Sequence, residues 1–363
     1  MKRPFVIPMT TRFRRVTSRA GVLVEGPSGW GEFSPFPDYG PSTAARWAAA
    51  AHEAAFGTWP APLRSTVPVN CTVPAVDPDS AHAIVAASGC ATAKVKVAEP
   101  GQTLDDDLAR CEAVRDALGS RGHLRVDANG AWDVDEAVTA ITALDRFDLE
   151  YVEQPVADLT GMAKVRTRVH VPLAADESVR TADDPLRVAG LEAADIVVLK
   201  VQPLGGVRAA LAVAEAADAA GEVRFVVSSA VETSIGLAAG VALAAALPRL
   251  DHACGLATLP LLAGDVVDEP LAPVDGRLPV RRLVPSEALL RRWAPDAGTS
   301  EALLERLDAA VRAGSTQAPG ESPGGGVPGA GGGGSGGGVS GAGGGVPGAG
   351  GGEPTRRARG SRP

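Results

Sequence analysis

Five charged residues recur at a nearly constant spacing through the middle of this chain, each at the end of a short apolar segment. The steps between them are 31, 26, 23 and 24 residues. One strand, one helix and their two loops take about 25–30 residues in a (β/α) barrel. Each step therefore advances the chain by one barrel strand and returns the next side chain to the same rim. The five residues are Lys96, Asp127, Glu153, Asp176 and Lys200.

Eight short segments with β-branched residues or alternating polarity supply strands for such a barrel. Ala- and Leu-rich stretches with helical spacing separate most of them. Strands that alternate with helices favour an α/β fold with a parallel barrel. The predicted strands are Val67–Thr72, Ala93–Val97, His123–Asp127, Leu149–Glu153, Val171–Asp176, Asp195–Lys200, Arg224–Ser229 and His252–Ala257.

The residues before the first of these strands lack the barrel rhythm. Val22–Glu25 and Trp30–Phe33, joined through a Pro-Ser-Gly turn, predict a β-hairpin, and Thr43–Ala55 predicts a helix. After about Leu262 the rhythm stops again. The predicted organisation is an α+β domain over residues 1–64, the barrel over 65–262, a segment over 263–312 that returns to the first domain, and a tail over 313–363.

The tail has a low-complexity composition. Its 51 residues contain 22 of the 44 glycines, and the decamer GGGVPGAGGG occurs in it twice. Such a segment cannot bury enough apolar surface to offset the entropy lost on ordering it. We therefore expect residues 313–363 to be disordered.

Composition excludes several classes of protein. The net charge of −8 comes without a basic face in the folded part, which argues against nucleic acid binding. No run of about 18 apolar residues is present, and the apolar stretch at the N-terminus is too short and too rich in proline for a secretory signal. The four cysteines are scattered and form no CxxC motif. The sequence thus predicts a cytoplasmic protein with reduced thiols that does not bind membranes.

Three of the five rim residues are carboxylates, which would repel one another unless a cation lay between them. Each alone has a simpler interpretation as a surface or helix-capping residue, but Asp133 is better placed than Asp127 to cap the next helix. Mg²⁺ uses few protein carboxylates and completes its octahedron with water and substrate oxygens. Because no histidine lies at these strand ends, Zn²⁺ is disfavoured. The predicted Mg²⁺ ligands are Asp127, Glu153 and Asp176.

The lysines point to acid–base chemistry. The strand period of two places Lys94 and Lys96 on one face, and Val95 and Val97 suit the face that helices cover, so the lysines point into the barrel. A buried lysine near another cation becomes a usable base at neutral pH. Together with Lys200, such bases could reach both faces of a carbon next to a carboxylate, with the metal holding the enediolate.

Ser228 and Ser229 end the seventh predicted strand. Their hydroxyl and N–H groups, with the positive end of a helix that begins near Ser234, could hold a substrate carboxylate. The alternative is that these residues only cap the helix.

Several motifs together resemble the enolase superfamily, and within it the muconate-lactonizing-enzyme subgroup. The resemblance extends from about Gly29 to Pro279. The segments TAKVKVAEPGQ at 92–102 and LDHACGLAT at 250–258 are similar to those of actinobacterial o-succinylbenzoate synthases. The motifs that carry the wider resemblance are KVK at 94–96, VDANGAW at 126–132, YVEQP at 151–155, AADES at 174–178 and VVLKVQPLGG at 197–206.

This resemblance implies a modified (β/α)7β barrel with an α+β capping domain, and Mg²⁺ on the three carboxylates. It implies the syn-dehydration of 2-succinyl-6-hydroxy-2,4-cyclohexadiene-1-carboxylate to 2-succinylbenzoate in menaquinone synthesis. In such enzymes Lys96 would remove the α-proton and then protonate the leaving hydroxyl, and Lys200 would stabilise the enediolate. Lys94 would lie beside the substrate carboxylate and Asn129 near the metal or its ligands.

Two other functions remain open at this point. An N-acylamino acid racemase would use both lysines on opposite faces of its substrate. A non-catalytic barrel could serve as a binding scaffold. A dipeptide epimerase is disfavoured, because LATLPL at 256–261 lacks the acidic pair that follows the eighth strand in those enzymes. The chain is also short around Pro8–Arg15, where related enzymes carry a lid loop.

Overall fold

The computed structural model describes residues 1–13, 16–179, 184–220 and 223–316. The predicted disordered tail lies outside these residues from position 317 onward. Its first four residues, 313–316, instead form the last turn of a helix.

The N-terminal part is a three-stranded antiparallel sheet, called the N-terminal sheet below, with one helix against it. The predicted hairpin and helix are both present, but the first and longest strand was missed. Pro4 and Pro8 weaken its strand signal, yet this strand lies at the sheet edge, where prolines are tolerated. The elements are β1 (Lys2–Phe13), β2 (Val16–Gly26), β3 (Gly29–Phe33) and α1 (Pro41–Phe56).

Eight parallel strands follow and close into a barrel through a bridge between Ser228 and Gly255. Each overlaps its predicted segment, and helices connect successive strands, so the predicted (β/α)7β barrel is confirmed. The strands are β4 (Thr66–Val73), β5 (Thr92–Lys96), β6 (His123–Asp127), β7 (Leu149–Glu153), β8 (Leu173–Ala175), β9 (Ile196–Leu199), β10 (Arg224–Val227) and β11 (Cys254–Ala257). The helices are α2 (Pro78–Ser88), α3 (Leu104–Leu118), α4 (Val134–Leu144), α5 (Leu159–Arg166), α6 (Asp184–Gly190), α7 (Val201–Leu204), α8 (Val207–Ala220) and α9 (Ser234–Ala246).

The residues after the barrel contact both preceding parts. Strand β12 (Arg277–Pro279) pairs antiparallel with the start of β4. Two helices, α10 (Glu287–Arg292) and α11 (Ala297–Thr316), come after it. Leu307 and Ala310 of α11 share a buried cluster with Trp47 of α1. The exact domain boundaries stay a prediction.

Local sequence explains why Asp127 at the rim does not have to cap the helix that follows it. Asp133 accepts hydrogen bonds from the N–H groups of Asp135 and Glu136, and Glu136 accepts one from the N–H of Asp133. This capping box satisfies the first turn of α4. Asp127 is therefore not needed as its cap, as the sequence predicted.

The barrel interior has a polar network one pleat below the rim. Arg125 is fully buried, donates to Glu150 and to the side chain of Asn70, and lies over the ring of Tyr151. A register shift between β6 and β7 turns Glu150 towards Arg125, and His252 Nδ1 lies 2.9 Å from the same carboxylate. The network gives the buried guanidinium a counter-charge, without which it would be costly to bury.

Replacing Glu150 by glutamine should destabilise the protein by about 3 kcal/mol at neutral pH, because Arg125 would be left buried without its counter-ion. Burial alone would raise the pKa of Glu150, but hydrogen bonds from His252 and Arg125 lower it to about 2. Since this folded-state pKa lies below the unfolded value of 4.5, the stabilisation is present above that pH and is lost as the pH falls towards 2.

Urea unfolding of both proteins at neutral pH and at about pH 3 measures this effect, and the difference in unfolding free energy should shrink at the lower pH. The matched control is Asp135→Asn, which breaks an exposed pair with Arg168 and should change stability by less than about 1 kcal/mol. A difference between wild type and Glu150→Gln that does not vary with pH would contradict the prediction.

Candidate active site

The six charged residues of the predicted site meet at the C-terminal rim of the barrel. The register pairs Lys96 with Asp127 and Asp127 with Glu153, so three neighbouring strands end at one level. Asp176 and Lys200 directly follow β8 and β9. None of the six, which include Lys94, is more than 8% exposed.

The topology also fixes which residues face each other. Strands β5 and β9 are four steps apart in the eight-stranded order, with β6, β7 and β8 between them. Lys96 and Lys200 therefore stand on opposite sides of the rim. The three carboxylates occupy the arc that joins them.

Each carboxylate is paired with lysine. Lys94 Nζ lies 2.7 Å from Glu153 Oε1 and 3.2 Å from Asp127 Oδ2. Lys96 Nζ lies 2.5 Å from the same Asp127 oxygen, and Lys200 Nζ lies 2.5 Å from Asp176 Oδ2. The rim thus holds three ammonium groups and three carboxyl groups in contact.

The pairing is unequal, and the pKa values reflect it. Burial raises the pKa of Glu153 to about 8, and the charge of Asp127 acts in the same direction. Burial also acts to raise the pKa of Asp127, but Lys96 and Lys94 together hold it well below its usual range. Burial lowers the pKa of Lys94, yet Glu153 and Asp127 outweigh that effect and raise it. The carboxylate of Glu153, which contacts one lysine, is therefore less well compensated by positive charge than that of Asp127, which contacts two.

In the part of the chain that the structure describes, no three His, Cys, Asp or Glu side chains gather as a metal-binding cluster. The lysine ammonium groups lie against the carboxylate oxygens instead. The donor set nevertheless suits Mg²⁺, because it consists of carboxylate oxygens on adjacent strand ends. A four-carbon lysine stem is flexible enough to turn away when a divalent cation takes its place.

Asn129 connects Lys96 to Glu177, a residue that the sequence analysis did not assign to the site. It has a φ of +49°, and its Oδ1 accepts from Lys96 Nζ at 2.7 Å. Its Nδ2 donates to Glu177 Oε1 at 3.0 Å. Gln154 was missed as well, although its Oε1 accepts from the N–H of Asp176 at 2.9 Å. Gln154 directly follows Glu153 and Glu177 directly follows Asp176, and this adjacency was the signal by which the sequence could have indicated them.

Ser228 and Ser229 line the cavity, but their hydroxyl groups are engaged within the protein. Ser228 Oγ donates to the carbonyl of Gly255, and Ser229 Oγ lies 2.8 Å from Thr258 Oγ1. Substrate binding by these two serines stays a prediction. The helix is capped by Thr233 rather than by either serine, and protein carboxylates bind the N–H groups at the start of α9. Glu32 and Asp265 already accept from those groups, because a buried helix end needs acceptors from elsewhere in the fold.

The space at the rim is small. A cavity of about 30 Å³, roughly the volume of one water molecule, lies between the charged residues. A larger cavity of about 800 Å³ adjoins it, shares Phe36, Lys96 and Asn129 with it, and extends to Thr11 and Val16. Residues 14 and 15 of the predicted lid region lie outside the described residues. The larger cavity, which reaches Lys96 and Asn129, is therefore the space in which a substrate would fit.

Comparison with known proteins places the chain in a family. Residues 78–285 match the model described as enolase C-terminal domain-like, and residues 5–55 match the enolase N-terminal domain-like model. No helix of the described residues is long and apolar enough to cross a membrane.

Curated relatives match more than four fifths of the chain. An o-succinylbenzoate synthase of Thermobifida fusca is 64% identical over 308 residues, which are 85% of this chain and 96% of that protein. One of Mycolicibacterium smegmatis is 50% identical over 303 residues, covering 83% and 92%.

Solved structures agree in fold. The L-Ala-D/L-Glu epimerase of Bacillus subtilis has a TM-score of 0.66 at 25% identity, covering 78% of this chain and 96% of that one. Muconate cycloisomerase of Pseudomonas fluorescens has a TM-score of 0.69 at 22% identity, covering 81% and 98%. From the matched models and the extent of identity, this chain belongs to the enolase superfamily and, within it, to the family of o-succinylbenzoate synthases.

Proposed function

We propose that this protein catalyses the Mg²⁺-dependent syn-dehydration of 2-succinyl-6-hydroxy-2,4-cyclohexadiene-1-carboxylate to 2-succinylbenzoate, a step of menaquinone synthesis. The observation that carries the proposal is the 64% identity to the Thermobifida fusca o-succinylbenzoate synthase over 96% of its length. The opposed lysines on a rim of three carboxylates fit that chemistry. The substrate is thus a small carboxylate.

Enolase superfamily enzymes generally use Mg²⁺, and we assign its protein ligands to Asp127, Glu153 and Asp176. Their carboxylate oxygens are the donors that this hard cation prefers. When bound, the cation supplies positive charge to the substrate carboxylate and so lowers the cost of removing the adjacent proton.

Charge balance supports a doubly charged substrate. The three rim lysines and three rim carboxylates cancel when all are ionised. A divalent cation adds two positive charges, and the proposed substrate carries two carboxylates. With Lys96 unprotonated, as a base must be, the loaded site carries one net negative charge. The cation offsets the two substrate carboxylates, whose charges would otherwise be costly to bury.

Lys96 acts as the base and then as the acid. Its Nζ accepts the proton from the carbon next to the substrate carboxylate and returns it to the departing hydroxyl, so that water leaves. Because a syn elimination places both groups on one face, one amine can serve both steps. Asn129 Oδ1, 2.7 Å away, orients that amine.

The other lysines act through charge. Lys200 stands across the rim and stabilises the negative charge that develops on the substrate as the proton leaves. Lys94 Nζ contacts both Glu153 and Asp127, and we assign this lysine to the position beside the substrate carboxylate. Ser228 and Ser229 line the cavity at the rim, and we assign them to substrate binding.

The placement of Lys96 and Lys200 on opposite sides of the rim also suits an N-acylamino acid racemase, which exchanges a proton between two faces. A purely binding function is the weaker alternative, because it gives no role to opposed lysines beside three carboxylates.

The deciding experiment is a parallel assay of the purified full chain with Mg²⁺ against the cyclohexadiene acid and against N-succinyl amino acids. We expect dehydration, and solvent deuterium incorporation at one substrate face only. Racemisation without dehydration would establish the alternative, and no turnover of either substrate would support the binding function.

A further inference from the structure

The loop after β10 contains a strained residue. Val231 has a φ of +61°, in the left-handed region that a β-branched residue adopts only under constraint. Val231 and Ala230 line the small cavity at the rim together with Ser228 and Ser229. The conformation of this 228–233 loop therefore sets one wall of the proposed active site, and something in the fold must hold it there.

Two buried residues of the N-terminal sheet hold the loop, one at Val231 and the other at Thr233. Arg19 Nε donates to the carbonyl oxygen of Val231 at 3.0 Å. Glu32 accepts from the N–H of Thr233 at 3.1 Å and from its hydroxyl at 2.5 Å. Arg19 and Glu32 are 2% and 3% exposed, so water does not compete for these bonds.

Glu32 also closes the start of α9. Its Oε2 accepts from the N–H of Gly236 at 3.0 Å. A Cβ at position 236 would lie 2.9 Å from that oxygen and 2.6 Å from the Cβ of Glu232, so only glycine allows this approach. One carboxylate from the N-terminal sheet thus binds the loop and the helix that follows it.

Apolar packing works in the same direction. The Val231 side chain belongs to a buried cluster with Phe5, Ile7 and Leu23 of the N-terminal sheet. The strained residue is therefore bound to that sheet by its side chain and its carbonyl, and the N–H of Thr233 adds a third bond two residues further on.

We propose that Arg19 and Glu32 are positioning residues that hold the 228–233 loop in its substrate-binding shape. The proposal rests on the proposed function for the identity of the substrate. Both residues bind the loop directly, so their removal should weaken substrate binding while Mg²⁺ binding is kept.

A matched control separates two effects: positioning of the 228–233 loop, and general attachment of the N-terminal part to the barrel. Glu53 of α1 also caps a barrel helix, since it accepts from the N–H groups of Val207 at 2.5 Å and Arg208 at 3.0 Å. It therefore makes the same kind of bond to α8 that Glu32 makes to α9, but none of its described hydrogen bonds reaches the 228–233 loop.

The test compares wild type, Glu32→Gln and Glu53→Gln. Because burial raises the pKa of Glu32 to about 7, measurements at about pH 8 favour its charged form. We expect Glu32→Gln to raise both KM and the Kd for 2-succinylbenzoate about tenfold, the usual effect of losing a hydrogen bond to a charged group. Mg²⁺ affinity by calorimetry should not change.

Amide hydrogen exchange supplies a measurement that does not depend on turnover. Glu32→Gln should speed exchange in residues 228–236, and Glu53→Gln should speed exchange near Val207 and leave both KM and product Kd unchanged. Equal losses of product affinity in the two variants, or unchanged KM and exchange in Glu32→Gln, would overturn the proposal.

A milder variant covers the case in which Glu32→Gln does not fold. Thr233→Val removes the hydroxyl that donates to Glu32 and that also accepts from the N–H of Ile235. It should show a smaller rise in KM with faster exchange in the loop; unchanged values would overturn the proposal. If wild type neither binds nor converts the succinyl compounds, the proposed function fails, and the exchange comparison still decides whether Glu32 holds the loop.

Discussion

Replacing Lys96 by alanine should lower kcat for dehydration by on the order of 10⁴-fold, because one amine serves as base and acid in the same turnover. The fold should survive the change. Asp127 keeps Lys94 at 3.2 Å as a counter-ion, so the substitution does not leave that buried carboxylate unpaired. Stopped-time assays of product formation, with a thermal unfolding curve beside them, measure the two effects separately.

Lys96→Arg is the informative control for this variant. Arginine keeps the positive charge beside Asp127 but does not give up its proton in proteins, so it should be nearly as inactive as alanine. An active arginine variant would show that Lys96 acts only through its charge. Turnover of Lys96→Ala within about tenfold of wild type would refute its role as the base.

Removing the metal should have a comparable effect. EDTA should lower turnover by on the order of 10³-fold or more, because charge stabilisation of the developing anion is usually the largest catalytic contribution. Added Mg²⁺ should restore it. Asp176→Asn should bind Mg²⁺ more weakly in a calorimetric titration, which reports on the ligand without reference to activity.

The control for the metal ligand is Asp133→Asn. Asp133 lies six residues beyond Asp127 and caps α4, a position at which asparagine is equally suitable. This variant should therefore retain Mg²⁺ affinity and turnover. Full activity in EDTA would remove the metal from the mechanism, and unaltered Mg²⁺ affinity in Asp176→Asn would remove Asp176 from its ligands.

The sequence predicted the barrel correctly because each of its strands and helices has a recognisable local sequence pattern. Segments such as Leu149–Glu153 are short and apolar, and helical stretches lie between them, so strand count and direction follow from period and spacing. It missed β1 because Pro4 and Pro8 obscure the strand pattern, and only the pairing with β2 shows that this strand lies at an edge.

The sequence by itself determined which side chains end the strands of the barrel: Lys96, Asp127, Glu153, Asp176 and Lys200. The tertiary structure alone decided what those and other charged groups contact. Lysine Nζ atoms rest on the carboxylates, and Glu32 reaches Thr233 across 201 residues of sequence. The periodicity of apolar residues and the spacing of the segments determine the position of a side chain on its own strand or helix. Contacts between distant segments depend on how whole elements pack, and no local pattern encodes them.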